Sequence, residues 1–407
     1  MTERLYYSDP YLTSFDASVV ETVRTDDGRV ALVLDRTAFY PTSGGQPFDT
    51  GALGAARVLE VLEAEDGRIL HVVDREESHG AVHGVVDWGR RFEHMQQHTG
   101  QHVLSAAFDR LSGARTVSFH LGTSSSTIDL ERQVTADECG RAEAHANAVL
   151  WEDRPVTIRF ADAEEASRLA LRKESGRSGQ LRLIDIDGFD LSACGGTHVA
   201  RTGAIGIVLI VSTERVRGGT RIEFVCGVRA LREHERMRTA VTGSVRHLSV
   251  LPAELPEAIQ RLQSENRDQK RRLRDLETRV ADQQAIELAA AAEPLGRVRL
   301  VAALLDGWQP SGLKAVAACI VRQPDHLAVL LSGPVPFQIV VARSANLADD
   351  AAALLRALTG AFGGKGGGRP ELAQGGGLSG SAEDITHLLR TIVRAQAGGS
   401  DPTDPLP

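Results

Sequence analysis

The chain is poor in cysteine and lysine and has no long apolar run. Its 407 residues hold four cysteines, Cys139, Cys194, Cys226 and Cys319, scattered rather than spaced as a disulfide framework. That excludes a small stapled scaffold and fits a reducing compartment in which one thiol serves a metal and three fill cores. The longest apolar run, AIGIVLIV at 204–211, falls well short of the roughly 18 to 20 residues a bilayer-spanning helix needs. The opening MTERLYYSDPYLTSF lacks the apolar segment of a signal peptide. A cytoplasmic protein with no membrane partner is therefore expected. Only Lys173, Lys270, Lys314 and Lys365 are lysines among 46 basic residues. Arginine suits planar, bidentate recognition of phosphate, although genomic base composition produces the same bias. A net charge of −8 excludes a protein that coats nucleic acid indiscriminately but leaves local basic surfaces open.

What is present is a pair of short metal-ligand motifs. HTGQH spans His98 to His102, within EHMQQHTGQHVLSAAFDRL. Met95, His98, His102, Leu104, Ala107, Phe108 and Leu111 recur there at helical spacing, so the two histidines share one helix face. CGGTH spans Cys194 to His198, where an alternating strand pattern runs into a Gly-Gly turn that can bring both ends onto one ion. Together they supply the four nitrogen and sulfur donors of a tetrahedral zinc ion. A closed structural zinc knot remains open, as does Cys194 as a buried apolar residue. His94, four residues before His98, is expected to stand behind the ligands.

At this length two or three domains are expected, in an α+β architecture. Residues 18 to 88 alternate apolar and polar positions between turn signals and predict a small β-barrel or curled sheet, placed at 1–90. Residues 91–247 mix helices at 93–111 and 135–151 with strands at VTIRF, LRLIDI, IGIVLIVST and TRIEFVCG. From 248 to 292, Leu255, Ile259, Leu262, Asn266, Gln269, Leu273, Leu276 and Val280 follow coiled-coil spacing, with Asn266 a polar residue of the kind that fixes register. A separate α/β domain is expected at 293–396, with strands at VRLVAALL, HLAVLLSG and FQIVVARS. Helices are expected there near 311–322, 346–361 and 382–396, and 397–407 reads as a frayed tail.

A second signature, RTAFYPTSGGQPFDTG at 36–51, packs turn-formers after a strand. Gly44 and Gly45 permit close approach, while Thr42, Ser43 and Gln46 offer hydrogen bonds. With FYPTSGGQPFDTG, HTGQH and CGGTH in this order, the chain resembles the editing domain of alanyl-tRNA synthetase and its free-standing AlaX relatives. GGGRPELAQGGG at 366–377 is similar to the glycine-rich motif of the C-terminal domain of that synthetase, a relative of the domain appended to DHH phosphoesterases. No DHH triplet occurs in the chain, which disfavours a phosphoesterase.

The resemblance covers nearly the whole chain and implies the long form of AlaX, without an aminoacylation core, acting in trans. It implies zinc-dependent hydrolysis of the ester in alanine tRNA mischarged with serine or glycine, with a non-catalytic, zinc-containing tRNA-binding protein as the alternative. It implies His98, His102, Cys194 and His198 as zinc ligands. Thr42 would read the serine hydroxyl, and Gln46, Gly44 and Gly45 would line the carbonyl oxygen. Zinc either activates a water or holds substrate groups. Because four protein ligands fill a tetrahedron, His198 or His94 is expected to be a loose ligand or to stand behind the others. Arg172 and Lys173, and in the C-terminal domain Lys365 and Arg369 on a flexible glycine loop, are the candidate RNA contacts. A homodimer through the coiled coil or the C-terminal domain is a further expectation.

Overall fold

The computed structural model describes residues 2–77, 79–172 and 180–397. The chain divides into two compact units, Met1–His247 and Leu248–Pro407.

The first unit opens with a closed six-stranded barrel, as the alternation predicts. Its strands run Ser14–Arg24, Val30–Leu34, Ile69–Val73, Ala56–Glu63, Gly51–Leu53 and Gly80–Val86 around the circuit. Inward positions carry Phe15, Leu32, Leu34, Phe39, Val58, Val61 and Ile69, so the interior is a packed core, and closure leaves no free sheet edge. The barrel hands over directly to helix α1, Trp88–Ser112, capped by the Asp87 side chain and ended by left-handed Gly113. Every residue of α1 from His94 to Phe108 is buried. The helix is therefore a central strut rather than an amphipathic surface helix.

Around α1 lie helix α2 (Ala136–Trp151), short helix α3 (Ala163–Ser167), helix α4 (Val228–Leu248) and two antiparallel sheets. The four-stranded sheet orders Val208–Val216, Gly219–Cys226, Ser126–Leu130 and Thr116–Leu121; the last two strands had no counterpart in the sequence reading. The three-stranded sheet orders Val156–Ala161, Leu181–Ile186 and Asp190–Ala193. A fully buried ion pair ties α1 to the barrel: Arg91 Nε donates to Asp49 Oδ2 at 3.0 Å, and the same oxygen accepts from the Tyr40 amide at 2.7 Å. Removing one partner would strand a buried charge, at a cost of about 3 to 5 kcal/mol. This pair sets the YPTSGGQ loop against α1.

The second unit contains helix α5, Leu255–Ala290, and a six-stranded sheet. Its strands order Glu293–Leu295, Val298–Leu304, His326–Ser332, Phe337–Arg343, Leu372–Leu378 and Lys365–Arg369. Helices α6 (Pro310–Ile320), α7 (Ala351–Phe362) and α8 (Ala382–Ala397) complete it. Ala281, Ala285 and Ala289 of α5 share an apolar cluster with Leu313, Val316 and Ile320 of α6, while Ile259, Leu262, Leu273, Leu276 and Val280 are exposed.

One expectation is corrected here. The glycine run bearing Lys365 and Arg369 is no flexible loop but an antiparallel hairpin at the sheet edge, pairing Gly366 with Gly375 and Gly368 with Ala373. A Cβ on Gly366 would stand 2.7 Å from the Gln374 carbonyl oxygen and 2.7 Å from the Gly375 Cα. The glycines thus permit close backbone approach within a sheet. The tail expected at 397–407 lies, from 398 onward, outside the described residues.

Candidate metal centre

The four predicted ligands converge. His98 and His102 project from α1, and Cys194 and His198 come from the turn after strand Asp190–Ala193; their ligand atoms all lie within 4.8 Å of one another. Cys194 Sγ is 3.3 Å from His98 Nε2 and 3.3 Å from His198 Nε2. Tetrahedral bond lengths to sulfur and nitrogen give an edge of about 3.6 Å, so the spacing fits zinc. The turn demands glycine at one place: a Cβ on Gly196 would stand 2.1 Å from the His98 ring.

Each imidazole is held at its other nitrogen, a pattern that orients metal ligands. His98 Nδ1 meets Gln46 Oε1 at 2.8 Å, His102 Nδ1 meets Asp190 Oδ2 at 3.0 Å, and His198 Nδ1 meets Thr99 Oγ1 at 3.2 Å. Gln46 also donates from Nε2 to Thr197 Oγ1 at 2.8 Å and accepts from the Thr197 amide at 3.1 Å. It is completely buried, and its bond steers His98.

Arg172 stands on the wall of the cavity described below, where its guanidinium donates to Asp190 Oδ1 at 2.6 Å and to Ser192 Oγ at 3.1 Å. Lys173 lies outside the described residues. His94 does not join the cluster: its Nδ1 has no partner among the described residues, and it lines a different cavity.

The electrostatics favour a cation at the centre. Burial raises the Cys194 thiol, but the surrounding imidazoles, His98 foremost, hold it well below its ordinary value. Burial presses His102 down, yet its bond to Asp190 and the neighbouring Cys194 lift it to about 9. For Asp190, burial opposes ionisation, while His102 and Arg172 keep its carboxyl well below the carboxylate range. Burial and then His98 lower His198 to about 3. The thiolate draws a positive charge onto whichever neighbour can carry it, and a divalent metal can.

The cluster opens on a cavity of 380 Å³ whose wall includes Tyr7, Tyr40, Ser43, Gly44, Thr116 and Phe119. Thr42 is exposed and absent from this wall, its amide bonded to the Val61 carbonyl, which counts against its assignment as the hydroxyl reader. Gly45 packs against Phe119, and its carbonyl accepts from the Leu121 amide at 3.0 Å. Arg182, missed from sequence, braces the turn: NH1 donates to the Cys194 and Gly196 carbonyls, each at 2.8 Å. Asp190 and Thr99 were also missed. Asp190 had one available signal, a carboxylate four residues before Cys194 on a strand of alternating burial.

The family model described as the threonyl and alanyl tRNA synthetase second additional domain matches residues 181–223, which include Cys194 and His198. An alanine–tRNA ligase of Pyrococcus abyssi is 32% identical over 389 residues, 92% of this chain and 42% of that protein. One from Pyrococcus furiosus is 34% identical over the same shares. The chain thus spans less than half the length of these ligases. The alanyl-tRNA editing protein AlaX-L of Pyrococcus horikoshii is 30% identical over 388 residues, covering 92% of this chain and 94% of that protein. With a relative matched along nearly its full length and the His and Cys motifs meeting at one point, the chain belongs to the AlaX family of alanyl-tRNA editing proteins, in its long form.

Proposed function

We propose that the chain is a zinc-dependent aminoacyl-tRNA deacylase that hydrolyses the ester of serine, and of glycine, misattached to alanine tRNA. The observation that carries this reading is the buried His98, His102, Cys194 and His198 donor set opening on a cavity. It has the support of a full-length relative named as an alanyl-tRNA editing protein.

The chemical need is plain. A site built for alanine gains only about 1 to 3 kcal/mol against glycine from the missing methyl, and it cannot strongly reject serine, which adds one hydroxyl. A second site that hydrogen-bonds the hydroxyl can discriminate by roughly 10⁴ to 10⁵. When bound, zinc would supply Lewis acidity for ester hydrolysis.

The remaining work falls to the chain's own groups. Gln46, Asp190 and Thr99 orient the three imidazoles, and Arg182 holds the Cys-Gly-Gly turn. Groups on the wall that can read a serine hydroxyl include Ser43, Thr116 and the phenols of Tyr7 and Tyr40. Gly44, on the same wall, offers its amide to the carbonyl oxygen. Lys365 and Arg369, exposed on the edge strand of the second unit, are offered as RNA phosphate contacts.

Incubation with Ser-, Gly- and Ala-charged alanine tRNA tests the reading. Serine and glycine should be released while alanine is retained. The second reading, a non-catalytic tRNA-binding protein, is favoured by the closed count of four protein ligands, a feature of structural sites. Folded, zinc-loaded protein that releases none of the three amino acids would decide for it.

A further inference from the structure

A second cavity, of 400 Å³, lies at the N-terminal end of α1, one turn before His98. Its wall carries Arg90, Arg229 and Arg232 against a single carboxylate, Glu93, together with His94 and Thr123. Arg229 Nε and Arg232 NH1 donate to the two oxygens of Glu93 at 2.8 and 2.9 Å, so one acid is shared by two bases. Among the described residues Arg90 is paired with no acid: its Nε donates to the Phe48 carbonyl at 2.9 Å, and its guanidinium lies over the Phe48 ring at 5.0 Å. The nearby Asp87 carboxylate is committed to capping α1, accepting from the Arg90 amide at 3.2 Å. The wall is therefore short of negative charge.

Two further features point to an anion. Helices α1 and α4 both begin here, at Trp88 and Val228, with Gly89 and Val228 on the wall. The Val228 amide is already donated to Gln96 Oε1 at 3.4 Å, so what the two helix starts add is mainly their partial positive charge. The second feature is His94, only 3% exposed, whose Nδ1 is sealed off without a partner among the described residues. An Nδ1 with no acceptor favours the tautomer carrying its proton on Nε2, which makes the ring a neutral donor. Burial, and then Arg90 and Arg229, push its pKa down to about 3, so it stays neutral. None of these groups serves the metal cluster.

Connection to the metal site is short. His94 and His98 are separated by one helical turn, a rise of about 6 Å. Phe119 lines the metal cavity, and Thr123, just beyond the same strand, lines this one. We infer that this cavity binds a backbone phosphate of the RNA strand that carries the ester, upstream of its 3′ end. The inference rests on the reading of the chain as an editing enzyme.

The test uses full-length, zinc-loaded protein and uncharged alanine tRNA, with binding followed by fluorescence anisotropy across a salt series. Arg232→Ala is the first variant, because that side chain is 63% exposed and tolerates truncation; Arg90→Gln is the second, and melting curves verify that both fold. Each should weaken binding about tenfold at low salt. Each should also lower the slope of log affinity against log salt by about 0.7 to 0.9. Arg57→Ala on the barrel, 74% exposed, should change neither.

Wild-type affinity and slope in both folded variants would overturn the inference. A free anion is the other source of the same chemistry: if inorganic phosphate moves the His94 ring resonances while both variants bind tRNA normally, the RNA assignment falls. Because uncharged tRNA is the probe, the outcome is independent of ester hydrolysis. A changed slope in a protein that deacylates nothing would sink the enzymatic reading and leave the phosphate site standing.

Discussion

At the metal cluster each histidine leans on a different kind of acceptor: an amide oxygen from Gln46, a hydroxyl from Thr99 and a carboxylate from Asp190. Removing the thiolate takes away the one anionic donor. Cys194→Ala should therefore reduce zinc from about one per chain to near none by metal analysis and abolish deacylation; full zinc with full activity would refute the site. A separate expectation concerns His71, buried in the barrel between Thr37 Oγ1 at 2.8 Å and the Leu32 carbonyl at 3.0 Å. Burial lowers its pKa from 6.5 to about 4. Above pH 6.5 both folded and unfolded chains hold it neutral. As pH falls from 6.5 to 4 the unfolded chain takes up a proton that the folded chain refuses, so stability drops, by about 3 kcal/mol at the end of that window. Denaturant melts at pH 7 and pH 4 measure the drop, and His71→Gln should flatten it. The ligands themselves were legible because four-residue spacing is a local signal. Their supports were less so, since Gln46 lies 52 residues from His98 and Asp190 lies 88 from His102, and the one local signal is the place of Asp190 four residues before Cys194.

Among the elements, the barrel, α1 and the strands Val298–Leu304, His326–Ser332 and Phe337–Arg343 of the second unit could be read from periodicity. The hairpin Lys365–Arg369 with Leu372–Leu378 could not. A strand made of glycine has no side chains to alternate, so its pattern is silent even where its backbone is fully paired. Helix α5 was legible as a helix, and its seam leaves a testable question. Ile259, Leu262, Leu273, Leu276 and Val280 are 42% to 57% exposed along one stripe, more apolar surface than a solitary helix usually leaves in water. Self-association through this seam is proposed. Sedimentation of the full chain should report a dimer, and Leu262→Glu with Leu273→Glu should shift it to monomer without loss of zinc. A wild-type monomer at tens of micromolar would rule the seam out as a self-association surface.

At the scale of the whole molecule, the donor set, the YPTSGGQ loop and the anion-poor cavity of α1 all belong to Met1–His247, which has its own cores. Removal of 248–407 should leave a folded, zinc-loaded deacylase with similar turnover at saturating tRNA. Its affinity should be weaker and less salt-dependent, as when phosphate contacts disappear. Abolished turnover in a folded, loaded fragment would mean that the second unit completes the active site. The metal centre has one consequence of another kind. Cys194 and His98 are 96 residues apart, and Gln46 and Thr197 are 151 apart, so no short stretch of chain can assemble the site by itself. A ribosome making this protein exposes two bare histidines long before their thiol partner emerges. Because metal affinity gained on closure is folding free energy, the proposed zinc would make metal supply during synthesis a checkpoint on the maturation of the whole first unit.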